Sequence, residues 1–179
     1  MTMFYFYEAR LPFMSFLPFP KYKFQKLSDI TADFLVEKGV ELLMLDLDNT
    51  VAPYGAETPP EHTLCWAESI RAAGIGLYII SNSRKEGRVK TFAQALGVPY
   101  ILRAKKPSPR KPREAMLALD VKPENAALAG DQIYTDVLSA KLAGVTPILI
   151  RPIKLSNPLL ALRYVLEAPF RRPRPRADV

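Results

Sequence analysis

Asp46-Leu47-Asp48-Asn49-Thr50 places two carboxylates two positions apart at the end of an apolar run. If the extended geometry of that run persists, both point the same way. Two carboxylates on one face repel unless a cation or a shared proton relieves them. Gly130-Asp131 follows another apolar run and brings a third, with Asp136 five residues on. Ser81-Asn82-Ser83 closes a further run, and Lys105 and Lys106 follow yet another. His62 is the only histidine and Cys65 the only cysteine. A His-based zinc site, a Ser-His-Asp triad and an intrachain disulfide therefore lack their parts. Chemistry here must run on carboxylates, hydroxyls, lysine or metal. Oxygen-rich carboxylates without histidine suit a hard octahedral cation such as Mg2+. Such a cation screens a phosphate dianion from an attacking carboxylate. A carboxylate nucleophile then forms an acyl phosphate, splitting one hard step into two easier ones.

Those groups need a scaffold that delivers them to one edge. Val40 to Leu47 is short and nearly all apolar, as in a strand buried on both faces. Ile75 to Ile80, Val98 to Leu102, Ala126 to Ala129 and Val145 to Ile150 read the same way. Between them the spacing predicts helices at about 60–73, 85–96, up to about Leu119, and 134–143. Another helix is expected at 29–38, with Asp29 or Thr31 as cap and Gly39 as stop, and one at 157–167. Residues 103–113 read as a basic, proline-rich loop. Strands alternating with helices argue for an α/β fold, a Rossmann-like doubly wound parallel sheet of about five strands. Ligands of such sheets bind beyond the carboxyl ends of the strands. The first four of these strands all deliver polar groups there. Taken singly, each cluster is commonplace: an Asp-x-Asp turn, a capping serine, a solvated lysine, a Gly-Asp turn. Their joint placement is what points to a site.

In this order the clusters resemble the haloacid dehalogenase superfamily of phosphatases over roughly residues 40–150. The D-x-D-x-T motif is Asp46 to Thr50, the strand-end Ser is Ser81, the Lys followed by Pro is Lys106-Pro107, and G-D-x-x-x-x-D is Gly130 to Asp136. The resemblance implies that Asp46 is the nucleophile. It makes Asp48 the general acid for the leaving alcohol and then the base for water. Asp46, the backbone carbonyl of Asp48, and Asp131 would bind Mg2+. Thr50, Ser81, Asn82 and Lys106 would hold the phosphoryl group, Lys106 being preferred to Lys105 for the proline after it. Asp136 would orient Lys106 or a metal-bound water. Members of the superfamily often insert a lid domain. Neither Thr50 to Ser81 nor Ser81 to Lys106 has room for one, so no cap domain is expected and the site should be open. An open site suits a phosphate on a large body, because small substrates need enclosure. Pro20 to Gly55, with Asp29-Ile30-Thr31 and Lys38-Gly39-Val40, further resembles the YqeG-like group of subclass IIIA, related to phosphatidylglycerophosphate phosphatases. That implies removal of the terminal phosphate from phosphatidylglycerophosphate. A phosphatase of soluble nucleotides or sugar phosphates is the alternative enzyme. An anionic-surface or nucleic-acid binding protein is the alternative outside catalysis.

The chain as a whole fits this reading. It has 179 residues, 49% of them hydrophobic, and a net charge of +7. One domain over 29–168 is expected, preceded by an aromatic extension at 1–28 and followed by a loose basic tail at 169–179. The positive charge favours anionic partners. Arg103, Lys105, Lys106, Arg110, Lys111 and Arg113 crowd the third motif, where anionic phospholipid would find complementary charge. Aromatic residues among Lys21, Lys23 and Lys26 suit either the edge of the domain's own sheet or a membrane surface. Nucleic acid is disfavoured, since no aromatic-basic RNA-binding signature is visible. No apolar run reaches the roughly 20 residues of a membrane span. A cytoplasmic location is expected, with peripheral contact at the inner membrane face. Cys65 and Trp66 fall on the helix at 60–73 and are both expected in the core; His62 carries no role.

Overall fold

Leu42–Leu45 forms the first long strand of the apolar run, paired on both edges, and all four residues are buried because helices cover both faces of the sheet. The computed structural model describes residues 17–155 and 158–171. Its strands are β1 (Tyr22–Phe24), β2 (Leu42–Leu45), β3 (Gly76–Ile80), β4 (Tyr100–Ile101), β5 (Ala126–Gly130) and β6 (Thr146–Ile150). All pair in parallel, in the order β1-β6-β5-β2-β3-β4. Six helices connect or follow them: α1 (Ala32–Glu37), α2 (Glu61–Ala72), α3 (Glu86–Leu96), α4 (Arg110–Ala118), α5 (Leu138–Ala143) and α6 (Pro158–Leu166). The chain runs from β2 outward through β3 to β4. It then returns to the other side of β2 at β5 and continues outward to β6. The β2–β5 seam is thus the topological switch point, where a crevice opens beyond the strand ends.

Alternation along each strand divides the core into two layers. Leu43, Leu45, Leu77 and Ile79 point to the face covered by α1, α2 and α3, where they meet Leu35, Trp66, Ile70 and Phe92. Leu42, Met44, Tyr78 and Ile80 point to the other face, against Met116 of α4 and Ala140 of α5. Among the described residues, β2 to β3 and β3 to β4 each hold one helix and no cap domain.

The expected Rossmann-like parallel sheet is present, and several details differ. The sheet has six strands, because Tyr22–Phe24 adds to β6 from within the aromatic segment assigned to an extension. Tyr22 and Phe24 set their rings against Phe34 of α1 at 5.0 and 5.1 Å. Aromatic burial and ladder hydrogen bonds together hold an edge strand too short to show periodicity. Residues 1–16, with most of the aromatic cluster, lie outside the described residues. The basic loop ends sooner than expected, since α4 starts at Arg110. Cys65 is exposed, whereas Trp66 is buried and donates its indole N–H to Ile30 O at 2.8 Å. The helical period explains the difference: Thr63, Trp66, Ala67 and Ile70 form the inward face of α2, and position 65 falls opposite. The basic tail also begins later than expected. Arg171 is buried and ion-paired to Glu167 at 2.6 Å, and residues 172–179 lie outside the described residues.

Candidate active site

Asp46 is the first residue beyond β2, and its backbone N–H donates to Ala129 O of β5 at 2.9 Å. Asp131 is the first residue beyond β5. Adjacent parallel strands therefore place these two carboxylates side by side. Asp136 joins them through a local device. The chain after β5 winds a widened π turn, Ile133–Val137, before tightening into α5. This turn aims Asp136 back at the strand end, where its Oδ2 accepts from the Gln132 N–H at 3.0 Å. Gly130 makes the approach possible: a Cβ there would collide with the Asp136 carboxyl carbon. The position tolerates no side chain because the carboxylate already fills its volume. Carboxylate oxygens of Asp46, Asp131 and Asp136 all lie within 4.8 Å of one another, and all three residues are buried.

Lys106 enters this acidic centre from the loop after β4. Its Nζ lies 2.5 Å from Asp46 Oδ1 and 2.7 Å from Asp136 Oδ1. Lys105 is exposed, so the lysine at the carboxylates is Lys106. Burial would lower the Lys106 ammonium, but the facing Asp136 and Asp46 carboxylates outweigh it and hold the group above its ordinary value. Burial pushes Asp46 up to about 7 against the pull of Lys106, with Asp136 adding to the rise. Burial raises Asp131 as well, and repulsion from Asp136 and Asp46 adds to it. One ammonium faces three buried carboxyls. Asp131 Oδ1 is buried with no hydrogen-bond partner. An unpaired carboxylate oxygen in a cluster of oxygen donors fits a hard divalent cation.

The other expected residues divide. Ser81 is buried at the end of β3, with its Oγ accepting from the Ser83 N–H at 3.1 Å, which leaves its own O–H to donate elsewhere. Asn82 is turned to the backbone of Lys106: its Oδ1 accepts from Lys106 N at 2.8 Å and its Nδ2 donates to Lys106 O at 3.3 Å. The structure thus gives Asn82 the task of fixing the lysine loop. Thr50 is buried with its hydroxyl unpartnered and lines a large open groove beside the site, of roughly 1010 Å3. Asp48 pairs with Arg88 Nη1 at 2.8 Å. Arg88 is itself anchored by its Nε, which donates to Ala56 O at 2.5 Å, and by its place over the Phe92 ring.

Sequence reasoning does not single out Arg88, yet the residue leaves a signal. Arg88, Phe92 and Leu96 follow one another at the four-residue spacing of the buried face of α3, so a cation occupies a position where an apolar residue is expected. Arg171 escapes it too. Its Nη2 donates to Asp131 O at 3.0 Å and pairs with the fully buried Glu167. Inside an arginine-rich run it carries no mark that separates it from its neighbours.

Over the described residues, fold and site together define an α/β domain with no cap and an aspartate centre at the sheet's switch point. The family model for haloacid dehalogenase-like hydrolases matches residues 28–144, and the chain belongs to that family. It is 34% identical over 128 residues to the probable phosphatase YqeG of Bacillus subtilis, covering 72% of this chain and 74% of that one. It is 29% identical over 143 residues to the mitochondrial phosphatidylglycerophosphatase GEP4 of Saccharomyces cerevisiae, covering 69% of this chain and 75% of the relative. The fold is shared with a 3-deoxy-D-manno-octulosonate 8-phosphate phosphatase structure from Vibrio cholerae, at TM-score 0.52 and 22% identity over 72% of this chain and 75% of that one.

Proposed function

We propose that this chain is a Mg2+-dependent phosphomonoesterase working through an aspartyl-phosphate, and that its substrate is phosphatidylglycerophosphate. The observation that carries the chemistry is the Asp46 carboxylate held at the switch point by Lys106 at 2.5 Å, with an unpaired buried oxygen of Asp131 in the same cluster. Asp46, Asp131 and the backbone carbonyl of Asp48 would hold the cation. When bound, the cation neutralises phosphoryl charge against the carboxylates. Asp46 supplies the attacking oxygen: a P–O bond forms to its carboxylate as the ester P–O bond breaks. Lys106 and the hydroxyls of Ser81 and Thr50 bind the phosphoryl oxygens. Asp48 gives its proton to the departing alkoxide, then takes one from the water that attacks the acyl phosphate, and Asp46 is regenerated. Arg88 sets the rotamer of Asp48, and Asn82 fixes the backbone that carries Lys106. Asp136 holds the Lys106 ammonium at 2.7 Å.

The lipid assignment draws on the open groove at Thr50, the absence of a cap among the described residues, and the relative named for that activity. Hydrolysis of a generic aryl phosphate should require Mg2+ and vanish in Asp46→Asn; robust turnover by that variant overturns the nucleophile. Phosphatidylglycerophosphate in mixed micelles should be turned over faster than a panel of nucleotides and sugar phosphates. The reverse order removes the lipid substrate and leaves the chemistry intact.

A further inference from the structure

Helix α6 has no buried residue, although its sequence Pro158–Leu166 is almost wholly apolar. Leu159, Leu162, Val165 and Leu166 are 75%, 55%, 66% and 60% exposed. Their spacing puts them on one helical face. Arg163, the helix's single charged residue, flanks that face and donates to Gln132 Oε1. The opposite side is tied down beside the active site. The Tyr134 hydroxyl donates to Leu166 O at 3.2 Å, and Glu167, just past the helix, pairs with the Arg171 that donates to Asp131 O. The exposed apolar face is thus a fixed ridge on the rim of the catalytic crevice.

The groove at Thr50 adjoins the same helix on its Tyr164 side. Ile153 and Leu155 line it and are 49% and 45% exposed, and Tyr164 of α6 lines it too. Its wall carries Lys26, Arg151 and Lys154 and no carboxylate. The groove is joined to the first motif by backbone, since Ile153 N–H donates to Asn49 O at 3.2 Å. An apolar ridge next to a purely cationic groove matches a lipid surface: acyl chains for the ridge, anionic headgroups for the groove. A second copy of the chain fits poorly, because it brings another +7 to a basic face.

We infer that the exposed face of α6, with Ile153 and Leu155, is a docking surface for an anionic bilayer that presents headgroup phosphates to the Lys26-Arg151-Lys154 groove. The inference deepens the phosphatidylglycerophosphate reading and rests on it for its purpose. Its test is kept apart by reading binding without turnover. The full chain should co-sediment with phosphatidylcholine vesicles containing phosphatidylglycerol and only weakly with phosphatidylcholine alone. Leu159→Glu combined with Leu162→Glu should weaken binding by about tenfold or more. Both positions are solvent-facing, and an unchanged melting temperature verifies that the fold survives. In a separate variant, Leu159→Trp, the indole emission of the introduced ring should move to the blue on vesicles and be quenched by brominated lipid.

Full binding by the double Glu variant, or an emission spectrum of Leu159→Trp that ignores vesicles, overturns the docking surface and leaves the phosphatase reading standing. Binding lost on removing residues 1–16 but not on changing α6 moves the contact elsewhere and also overturns it. So does a concentration-dependent dimer abolished by the same pair of substitutions without vesicle binding. Vesicle binding without phosphatidylglycerophosphate turnover, conversely, sinks the substrate and keeps the surface.

Discussion

Asp136 reaches Lys106 only because position 130 has no side chain. Gly130→Ala puts a methyl where the Asp136 carboxyl stands. The backbone or the carboxylate must give way, at a cost of about 1–3 kcal/mol for overpacking. Chemical unfolding should show a loss of that size, and aryl phosphate hydrolysis should fall with it; a variant as stable and active as the parent would remove this account of the glycine. On the proposed mechanism Arg88 acts through Asp48, to which it pairs at 2.8 Å. Arg88→Met keeps the packing over Phe92 but frees the acid. General acid catalysis is worth about 10²–10⁴-fold, and matters least for a good leaving group. Turnover of an alkyl phosphate should therefore fall much further than that of an aryl phosphate, and equal losses on both would argue for a merely structural arginine. That the aspartates, Ser81 and Lys106 meet at one sheet edge was legible from their joint placement after successive apolar runs, since each cluster taken singly is commonplace. Roles that depend on three-dimensional partners were not. Asn82 stands in the second motif yet grips the lysine backbone, and nothing in its local sequence distinguishes the two uses.

The elements that carry these residues differ in how firmly they hold them. Helix α3 buries Val89, Phe92, Ala93 and Leu96 against the sheet, and the same face presents Arg88 to the site. Phe92 is fully buried in the core layer beneath Arg88. Phe92→Ala should cost about 3–5 kcal/mol by denaturant unfolding, the transfer and cavity terms adding. A loss under about 1 kcal/mol would mean that the layer collapses freely around the site. Unbroken apolar runs made β2 and β3 readable and helical spacing did the same for α2 and α3, with ends displaced by one or two residues. Two elements were hidden for physical reasons. β1 is three residues long and owes its existence to β6 and Phe34, partners far away in sequence. The π turn before α5 has the composition of an ordinary helix start, and is widened by Asp136 folding back onto Gln132 N–H.

The molecule concentrates three carboxyls and one ammonium in a buried crevice, so its stability should respond to protons and, on the proposed function, to a divalent cation as well. Burial first, and mutual repulsion second, raise Asp131 and lift Asp46 from 3.8 to about 7, against the opposing pull of Lys106. Between those values the folded state binds more protons than the unfolded chain. The Asp46 contribution is therefore fully present below about pH 4 and is lost as pH rises through about 7, and the raised Asp131 acts in the same direction. Lys106 adds no slope in that window, because its ammonium is held above its ordinary 10.5 and stays charged throughout. A divalent cation needs the carboxylates ionised, so it competes with the protons and offsets the repulsion they would relieve. Stabilisation by Mg2+ should then be small at about pH 5 and grow toward about pH 8. It should reach about 2.7 kcal/mol where the cation is a hundredfold above its Kd. Asp131→Asn removes the charge and replaces one carboxylate oxygen with an amide nitrogen, which cannot ligate a cation. Without cation, that variant should melt above the parent at about pH 8, and it should gain little from Mg2+ at any pH. Melting curves at the two pH values, with Mg2+ and with chelator, decide the matter. A Mg2+ increment equal at both pH values, or one that survives intact in Asp131→Asn, would place the cation somewhere other than among Asp46, Asp131 and their neighbours.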